Sequence, residues 1–351
     1  MGEKHVVRFE PVGIEMEADE EQTVLRAAAE QGIMLMHGCK EGQCSSCKSF
    51  VLDGDDYELD RYSTFALPDF EREEGFTLLC RTHVYEDVTI ELLNYDEEMI
   101  RSGLPIQQAV AEVAVNEPVT HDMRRLVLRL VEPEEIKFFP GQYVDITIPG
   151  TDEVRSFSMA NTTCRPDGLL EFVIKIYPDG KFSHYLDTQL AIGDRLDISG
   201  PFGVFTLRDS DEELLFLGGG AGMAPILSLL RSMAERGIER KATYYYGARG
   251  RRDLCYEDEL RELEQKLPGF RYVPALSEPS GQEAEGGWDG ETGLITDVVK
   301  KNEGDLGGTH VYVCGPPPMV EAALPMLTDL GVPEKHIYWD KFTTTGDPEK
   351  Q

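Results

Sequence analysis

The cysteine spacing in HGCKEGQCSSCKSF, residues 37–50, constrains the fold of this chain more than any other feature. Cys39, Cys44 and Cys47 have the spacing C-x4-C-x2-C, and Cys80 follows after 32 further residues. A [2Fe–2S] cluster needs four thiolates that converge on it, and this spacing supplies them from one loop and one strand end. A structural zinc site usually shows paired C-x2-C arms instead. We therefore predict that these four cysteines bind a [2Fe–2S] cluster.

The first hundred residues have the pattern of a small mixed sheet with one main helix. The sequence predicts a hairpin that turns at Pro11–Gly13, a helix over residues 23–32, and strands in KSFVLDG, FTLLC and DVTIEL. This order fits the β-grasp arrangement of plant-type [2Fe–2S] ferredoxins. We assign residues 1–98 to a ferredoxin domain (α+β) and residues 99–108, which are charged and then broken by glycine and proline, to a linker.

The rest of the chain changes from an antiparallel to a parallel pattern. Short alternating runs between residues 109 and 209 predict an antiparallel β-barrel domain. From residue 210 onward, strands alternate with glycines and helices, as in ELLFLGGGAGMAPILSLL, residues 213–230. This alternation predicts βαβ units on a parallel sheet, so residues 210–351 are assigned to an α/β domain. The expected fold class is multidomain.

The charge of the chain excludes several classes of partner. The formal net charge is −31, and residues 1–100 alone hold 24 acidic and 8 basic residues, a net charge of −16. An acidic surface repels nucleic acid and anionic membranes, whereas the acidic first domain could dock on a basic protein. No apolar run is long enough to span a membrane, and the N-terminus lacks the pattern of a signal peptide. We expect a cytoplasmic protein.

Residues 5–342 resemble the NADH-dependent reductase components of bacterial oxygenases, in which a ferredoxin domain is fused to a ferredoxin–NADP-reductase-like module. The cysteine loop, RSFSMAN at residues 155–161 and LLFLGGGAGMAPILSLL at residues 214–230 follow one another in the order of that family. The resemblance implies that the barrel binds FAD and that the α/β domain binds NADH as the electron donor.

RSFSMAN is similar to the R-x-Y-S flavin signature of this family. The resemblance implies that Arg155 pairs with the FAD pyrophosphate, which suits a bidentate cation. It also implies that Phe157 and Ser158 lie against the isoalloxazine, with Ser158 close to the nitrogen that receives hydride. Phe157 stands where tyrosine is usual, so a hydroxyl hydrogen bond is lost. Other residues implied to contact FAD are Val173, Lys175, Gly180, Lys181, Phe182, Ser183 and, as a cover near the C-terminus, Phe342.

The glycine-rich segment suits a dinucleotide pyrophosphate, because glycines allow close backbone approach and the following helix supplies a positive dipole. The match to G-x-G-x-x-G is imperfect, so the family resemblance carries the assignment. It implies contacts with NADH from Gly218, Gly219, Gly220, Gly222, Met223, Gly247, Arg249, Cys314, Gly315 and Pro316. Cys314 is implied to approach the nicotinamide, and Ser158 and Cys314 are the predicted catalytic residues. The alternative interpretation of Cys314 is an inert thiol at a strand end.

A segment of the α/β domain points to the choice of coenzyme. Relatives that use NADP carry an arginine for the 2′-phosphate in a segment comparable to PALSEPS. Here Ser277 is followed by Glu278, whose charge repels a phosphate. We therefore expect a preference for NADH.

The three predicted groups form an electron-transfer chain. NADH gives up two electrons as hydride, a [2Fe–2S] cluster accepts one at a time, and FAD between them does both. The resemblance implies delivery to the hydroxylase of a diiron monooxygenase of the methane, propane and phenol group, with the alkane members favoured. The charge of residues 1–100 predicts that docking occurs mainly through the acidic ferredoxin domain. Two alternatives stay open, a reductase for a Rieske-type aromatic-ring dioxygenase and a redox-sensing binding module.

Overall fold

The structure of the chain, a computed structural model, describes residues 2–43, 45–95, 97–163, 168–281 and 287–342. The chain divides into two compact units, Met1–Gln108 with Ser199–Val204 and Ala109–Ile198 with Phe205–Gln351. No helix in these described ranges is both long and apolar enough to cross a membrane. The domain boundaries and the linker inferred from the sequence stay predictions.

The first unit contains a five-stranded mixed sheet. The strands of this unit, β1 to β7, are Lys4–Glu10, Ile14–Asp19, Lys48–Asp53, Tyr57–Leu59, Phe76–Leu78, Thr82–Val84 and Val88–Leu92. Its helices α1 to α3 are Val24–Glu30, Asp69–Glu73 and Glu97–Ser102. The sheet order is β2-β1-β7-β3-β5, with β1 antiparallel to β2 and parallel to β7. The predicted β-grasp fold is confirmed, whereas the two-stranded sheet of β4 and β6 was not predicted.

Local sequence explains the main helix of this unit. The Thr23 side chain accepts a hydrogen bond from the amide of Arg26, which caps the start of α1. The helix ends before Gly32, whose φ of +75° favours glycine. Its buried face, which includes Val24 and Ala28, belongs to the same apolar core as the inner side of the sheet. This packing fixes the strand and loop that carry the cysteines.

A barrel-like antiparallel sheet lies mostly within residues 109–198 of the second unit. Its strands β8 to β13 are Gln107–Pro118, Met123–Glu132, Tyr143–Thr147, Val154–Ser158, Leu169–Lys175 and Arg195–Phe202, and its helix α4 is Lys181–Thr188. The order is β11-β10-β13-β8-β9-β12, and a bridge between Met159 and Phe172 joins the two ends. The sheet is therefore nearly closed, which confirms the predicted antiparallel barrel.

The second unit continues with a parallel sheet. Its strands β14 to β19 are Glu213–Gly219, Ala242–Ala248, Phe270–Leu276, Glu291–Thr292, Thr309–Gly315 and Ile337–Lys341. Its helices α5 to α8 are Met223–Arg236, Glu257–Lys266, Ile295–Asn302 and Pro317–Asp329. The order β17-β16-β15-β14-β18-β19 reverses direction between β14 and β18. Ligands of such sheets bind outside the carboxyl ends of the strands at this switch point.

Candidate functional site

The cysteine loop wraps closely around a sulfur atom. The amides of Glu41 and Gln43 donate to Cys39 Sγ at 3.4 and 3.2 Å. Gly42 between them has a φ of +71°, and a Cβ there would lie 2.7 Å from the Cβ of Tyr62. Only glycine fits this turn. Amide donors at sulfur stabilise a thiolate, the form that binds iron and whose hydrogen bonds tune the potential of a cluster.

Three of the four predicted cluster ligands lie in the described part of the chain. Cys47 and Cys80 are buried, and Cys39 is partly exposed. The neighbouring Cys47 thiol and then burial raise the pKa of Cys80. The Cys80 thiol therefore needs a nearby positive charge to ionise, which bound iron would supply. Cys44 lies outside the described residues. The three described thiols fit a [2Fe–2S] cluster, and the full ligand set stays a prediction.

The residues predicted to hold the FAD pyrophosphate lie together. Arg155 Nη2 is 2.9 Å from Glu153 Oε2, and Lys181 also pairs with Glu153. Lys181 and then Arg155 lower the pKa of Glu153. Lys181 begins α4, whose N-cap residue Gly180 offers no side-chain acceptor. Two cations beside an uncapped helix N-terminus fit a diphosphate.

Further residues predicted to contact FAD come from three neighbouring elements, β11, β12 and α4. The rings of Phe157 and Phe182 are 4.8 Å apart, on β11 and α4. Ser158 and Val173 are buried, on β11 and β12. The joined ends of the barrel sheet bring these strands together. This arrangement fits an apolar face for a flavin, and the individual contacts stay predictions.

Asp122 is a residue that the sequence analysis missed. Its Oδ2 atom lies 2.6 Å from Lys175 Nζ and 3.4 Å from Arg249 Nη2, and Arg249 also lies 3.4 Å from Asp253 Oδ1. Burial, the largest single influence, acts to raise the pKa of Asp122, but the hydrogen bond and the charge of Lys175, with smaller contributions from His121 and Thr120, together outweigh it and the pKa is lowered. Asp122 thus links a residue predicted to line FAD with one predicted to bind NADH. An aspartate between two strands is typical of a turn, so no sequence pattern indicates this role.

The three segments predicted to bind NADH meet at the carboxyl ends of neighbouring strands. Gly218 of β14 pairs in register with Cys314 of β18. Gly219 of β14 pairs with Gly247 of β15. The structure therefore brings these segments to the switch point of the parallel sheet.

Close packing explains the glycines in this loop. A Cβ on Gly222 would lie 2.2 Å from the carbonyl oxygen of Cys314. A Cβ on Gly219 would lie 2.7 Å from Met319 Sδ. Gly220 to Gly222 form a 3₁₀ turn that leads into Met223, the buried first residue of α5. No side chain caps α5, so its first amides face the loop end and suit a pyrophosphate.

Cys314 is fully buried at this edge. Burial, and then the charge of Asp340, raise the pKa of its thiol well above the ordinary value. The thiol therefore stays neutral and is unsuited to nucleophilic attack. The next residue, Gly315, accepts a hydrogen bond from the amide of Phe342 at 2.9 Å, and Pro316 occupies the N-cap position of α8. The roles of Cys314 and Phe342 beside the nicotinamide and flavin stay predictions.

Three family descriptions match the chain in the predicted order. The 2Fe-2S iron-sulfur cluster binding domain matches residues 7–85, the oxidoreductase FAD-binding domain residues 110–207, and the oxidoreductase NAD-binding domain residues 216–324. The three predicted cofactor-binding domains are thereby confirmed.

Two curated relatives align over nearly the whole chain. The reductase component of propane 2-monooxygenase from Mycolicibacterium goodii is 50% identical over 98% of this chain and 99% of its own. The phenol 2-monooxygenase reductase component from Pseudomonas sp. strain CF600 is 34% identical over 97% of this chain and 95% of its own. Among solved structures, Amycolatopsis cytochrome P450 reductase GcoB has a TM-score of 0.84 at 29% identity, covering 97% of this chain and 99% of its own.

Proposed function

From the premise that the chain belongs to the reductase components of multicomponent monooxygenases, we propose that its acceptor is the hydroxylase of an alkane monooxygenase of the propane class. The observation that carries the proposal is the full-length similarity to propane 2-monooxygenase reductases, which is closer than the similarity to the phenol enzyme. Bound FAD would supply the conversion between two-electron hydride transfer from NADH and one-electron transfer to a [2Fe–2S] cluster held by the predicted cysteines. A redox-sensing binding module would not need both an FAD-binding and an NAD-binding domain.

In this proposal the barrel residues bind and orient FAD. Arg155, Lys181 and the N-terminus of α4 neutralise the pyrophosphate, and Arg155 exchanges Glu153 for a phosphate oxygen. Phe157 covers one part of the ring system. Ser158 is buried on the adjacent position of β11, where its hydroxyl fixes the edge of the ring that receives hydride.

The α/β residues bind and orient NADH. The amides at the start of α5 bind the NADH pyrophosphate. The glycines of the loop allow the pyrophosphate to approach the backbone closely. Cys314 acts through its shape and its neutral thiol, since the raised pKa keeps negative charge away from the hydride donor. Phe342 excludes water from the flavin.

The acidic ferredoxin domain is the proposed docking surface. Residues 1–100 carry a net charge of −16, which favours a basic patch on the hydroxylase. The proposed location is the cytoplasm, where NADH is supplied and thiols stay reduced.

Reconstitution tests the acceptor. The purified chain, loaded with FAD and the cluster, is mixed with NADH and the components of a propane monooxygenase, and propanol formation is measured against NADH consumption. We expect tightly coupled product formation. A Rieske-type dioxygenase that accepts electrons faster than the diiron hydroxylase would overturn the proposal and favour the alternative acceptor.

A further inference from the structure

Two histidines and a glutamate form a cluster at the edge of the parallel sheet opposite to the nucleotide loop. Glu212 precedes β14, His310 is the second residue of β18, and His336 precedes β19. These three strands are adjacent and parallel, so their amino ends lie side by side. His310 and Cys314 are four residues apart on β18, which separates the two edges by about 13 Å. The cluster is thus distinct from the proposed NADH site.

The donor atoms of this cluster converge on one point. His310 Nε2 lies 2.9 Å from Glu212 Oε2, and His336 Nδ1 lies 3.4 Å from the same oxygen. One donor atom from each residue lies within 4.8 Å of the others. Two ligand atoms held about 2.1 Å from one ion, at the angles of tetrahedral or octahedral coordination, are about 2.8–3.4 Å apart. The observed separations match the edges of a metal coordination sphere.

These contacts are not ordinary hydrogen bonds. Within the described ranges, Glu212 Oε2 and His336 Nδ1 are buried and have no hydrogen-bond partner, although His310 Nε2 is so close to the carboxylate. Buried polar atoms without partners cost free energy, and a native structure seldom keeps several together. His310 itself is only 7% exposed. A bound cation would satisfy the carboxylate oxygen and the imidazole nitrogen at once.

Burial and the surrounding side chains shift the pKa of His310. Burial first, and then His336, lower the pKa of His310, while Glu212 acts in the opposite direction. Arg240 and Arg208 also lower it.

Arg240 also braces the loop that carries the carboxylate. Its Nε donates to the carbonyl of Glu212 at 2.8 Å, and its Nη1 donates to the carbonyl of Arg208 at 3.0 Å. The two arginines make an anion the competing occupant of this region. The carboxylate of Glu212 disfavours an anion, because it points into the same space as the two imidazoles.

We propose that Glu212, His310 and His336 bind one divalent transition-metal ion, with Zn²⁺ as the fitting ion, and that it ties together the amino ends of β14, β18 and β19. Two nitrogen donors and one oxygen donor suit zinc, with water in the remaining position. The ion acts as a structural clamp. It also steadies β19, the strand that leads to Phe342.

Zinc binding by the full chain tests the site. The FAD- and cluster-loaded protein is washed with chelator and dialysed against buffered micromolar free zinc, and zinc, iron and FAD are counted for each chain. Constant iron shows that the cluster cysteines have not exchanged metal. The variants are E212Q and H336Q, two side chains that reach the surface, with NADH–ferricyanide activity as the check on folding. H5Q is the matched control, because His5 Nε2 contacts Glu20 Oε1 at 3.2 Å and, among the described residues, no third metal-ligating side chain joins them.

We expect one zinc for each wild-type and H5Q chain, and affinity weaker by about tenfold or more in E212Q and H336Q. Zinc should raise the unfolding temperature of wild type and H5Q but not that of the two variants. Equal zinc binding by all four proteins, or none by wild type, overturns the proposal. Stabilisation by inorganic phosphate in place of zinc also overturns it and assigns the region to an anion.

Discussion

Glu153 contacts both cations that the proposed FAD pyrophosphate requires, so Arg155 has a partner before the cofactor binds. The contribution of Arg155 to FAD binding is therefore the difference between its interaction with the diphosphate and its interaction with Glu153. The diphosphate carries more charge and accepts a bidentate contact.

We predict that R155Q weakens FAD binding. A hydrogen bond to a charged group contributes about 1.5–3 kcal/mol, which corresponds to roughly 10- to 100-fold in the dissociation constant. FAD release is measured by fluorescence after dilution. R129Q, a change at an exposed arginine of the same barrel, should keep FAD as wild type does. Equal retention of FAD by both variants would show that Arg155 does not contribute to FAD binding.

Glu278 belongs to the turn that follows β16. Its amide donates to the carbonyl of Arg249 at 2.8 Å, and its side chain is exposed. The backbone therefore holds this carboxylate next to a segment predicted to bind NADH.

We predict that wild type prefers NADH and that E278R raises kcat/KM for NADPH by about tenfold, because a repelling charge becomes an attracting one. The measurement is steady-state kinetics with ferricyanide and both coenzymes. E239R, the same charge change at an exposed residue after α5, should leave the ratio unchanged. An NADPH preference in wild type would count against the role of Glu278.

Candidate site residues can be recognised from the sequence where they are close together along the chain, but not where they meet only in the fold. The loop cysteines and RSFSMAN are local patterns tied to one chemistry. Asp122 and the Glu212–His310–His336 cluster join separate elements, and no single spacing reveals them.

At the scale of elements, a buried carboxylate ties the barrel to the first helix of the parallel sheet. Glu171 on β12 is 3.1 Å from Arg125 on β9 and 3.3 Å from Arg231 on α5. Its side chain is only 2% exposed. Burial acts to raise the pKa of Glu171, but Arg231 and Arg125 outweigh it and the pKa is lowered.

We predict that E171Q lowers the free energy of unfolding by about 2 kcal/mol, the size of a charge-assisted hydrogen bond. The loss stays near this value because Arg231 keeps Glu259 and Arg125 keeps Glu117 as partners. The lowered pKa means that this stabilisation is complete above the ordinary pKa of glutamate and is lost as pH falls through the lowered pKa. The difference between variant and wild type should therefore shrink in acid.

Urea unfolding of the FAD-loaded chain, followed by flavin fluorescence, measures this effect. E213Q is the control, since the Glu213–Lys241 pair is exposed and contributes at most about 1 kcal/mol. Equal stability of E171Q and E213Q would show that the buried pair contributes nothing.

Most elements could be predicted from the sequence because their periods are clear. Alternating runs gave the barrel strands, and glycines after ELLFL gave the loop before α5. The short strands β4 and β6 escaped prediction because three residues carry too little periodicity and their pairing is set by the fold.

For the whole molecule, charge is the property that sequence gives most directly. The 24 acidic and 8 basic residues of the first hundred give this segment a strong negative charge in any fold. Their count does not locate a docking face. Attraction between exposed charges is screened beyond about 8 Å at physiological ionic strength.

We predict that hydroxylase-coupled turnover falls as salt rises from low to moderate concentration, whereas NADH–ferricyanide activity changes much less because it needs no protein docking. Residues 1–100 added in excess should compete with the full chain. If coupled turnover does not depend on salt and residues 1–100 do not compete, the docking face must lie elsewhere, most simply on the flavin domain.

The central claim is that electrons leave the chain through the cluster after passing through FAD. The most direct measurement compares two acceptors in C47S, in which a buried predicted ligand is lost. Ferricyanide draws electrons from the flavin, and cytochrome c stands in for the protein acceptor. We expect near wild-type FAD content and ferricyanide reduction, with a sharp fall in iron content and cytochrome c reduction, while C255S keeps its iron. Equal loss of both activities with FAD still bound would contradict the relay.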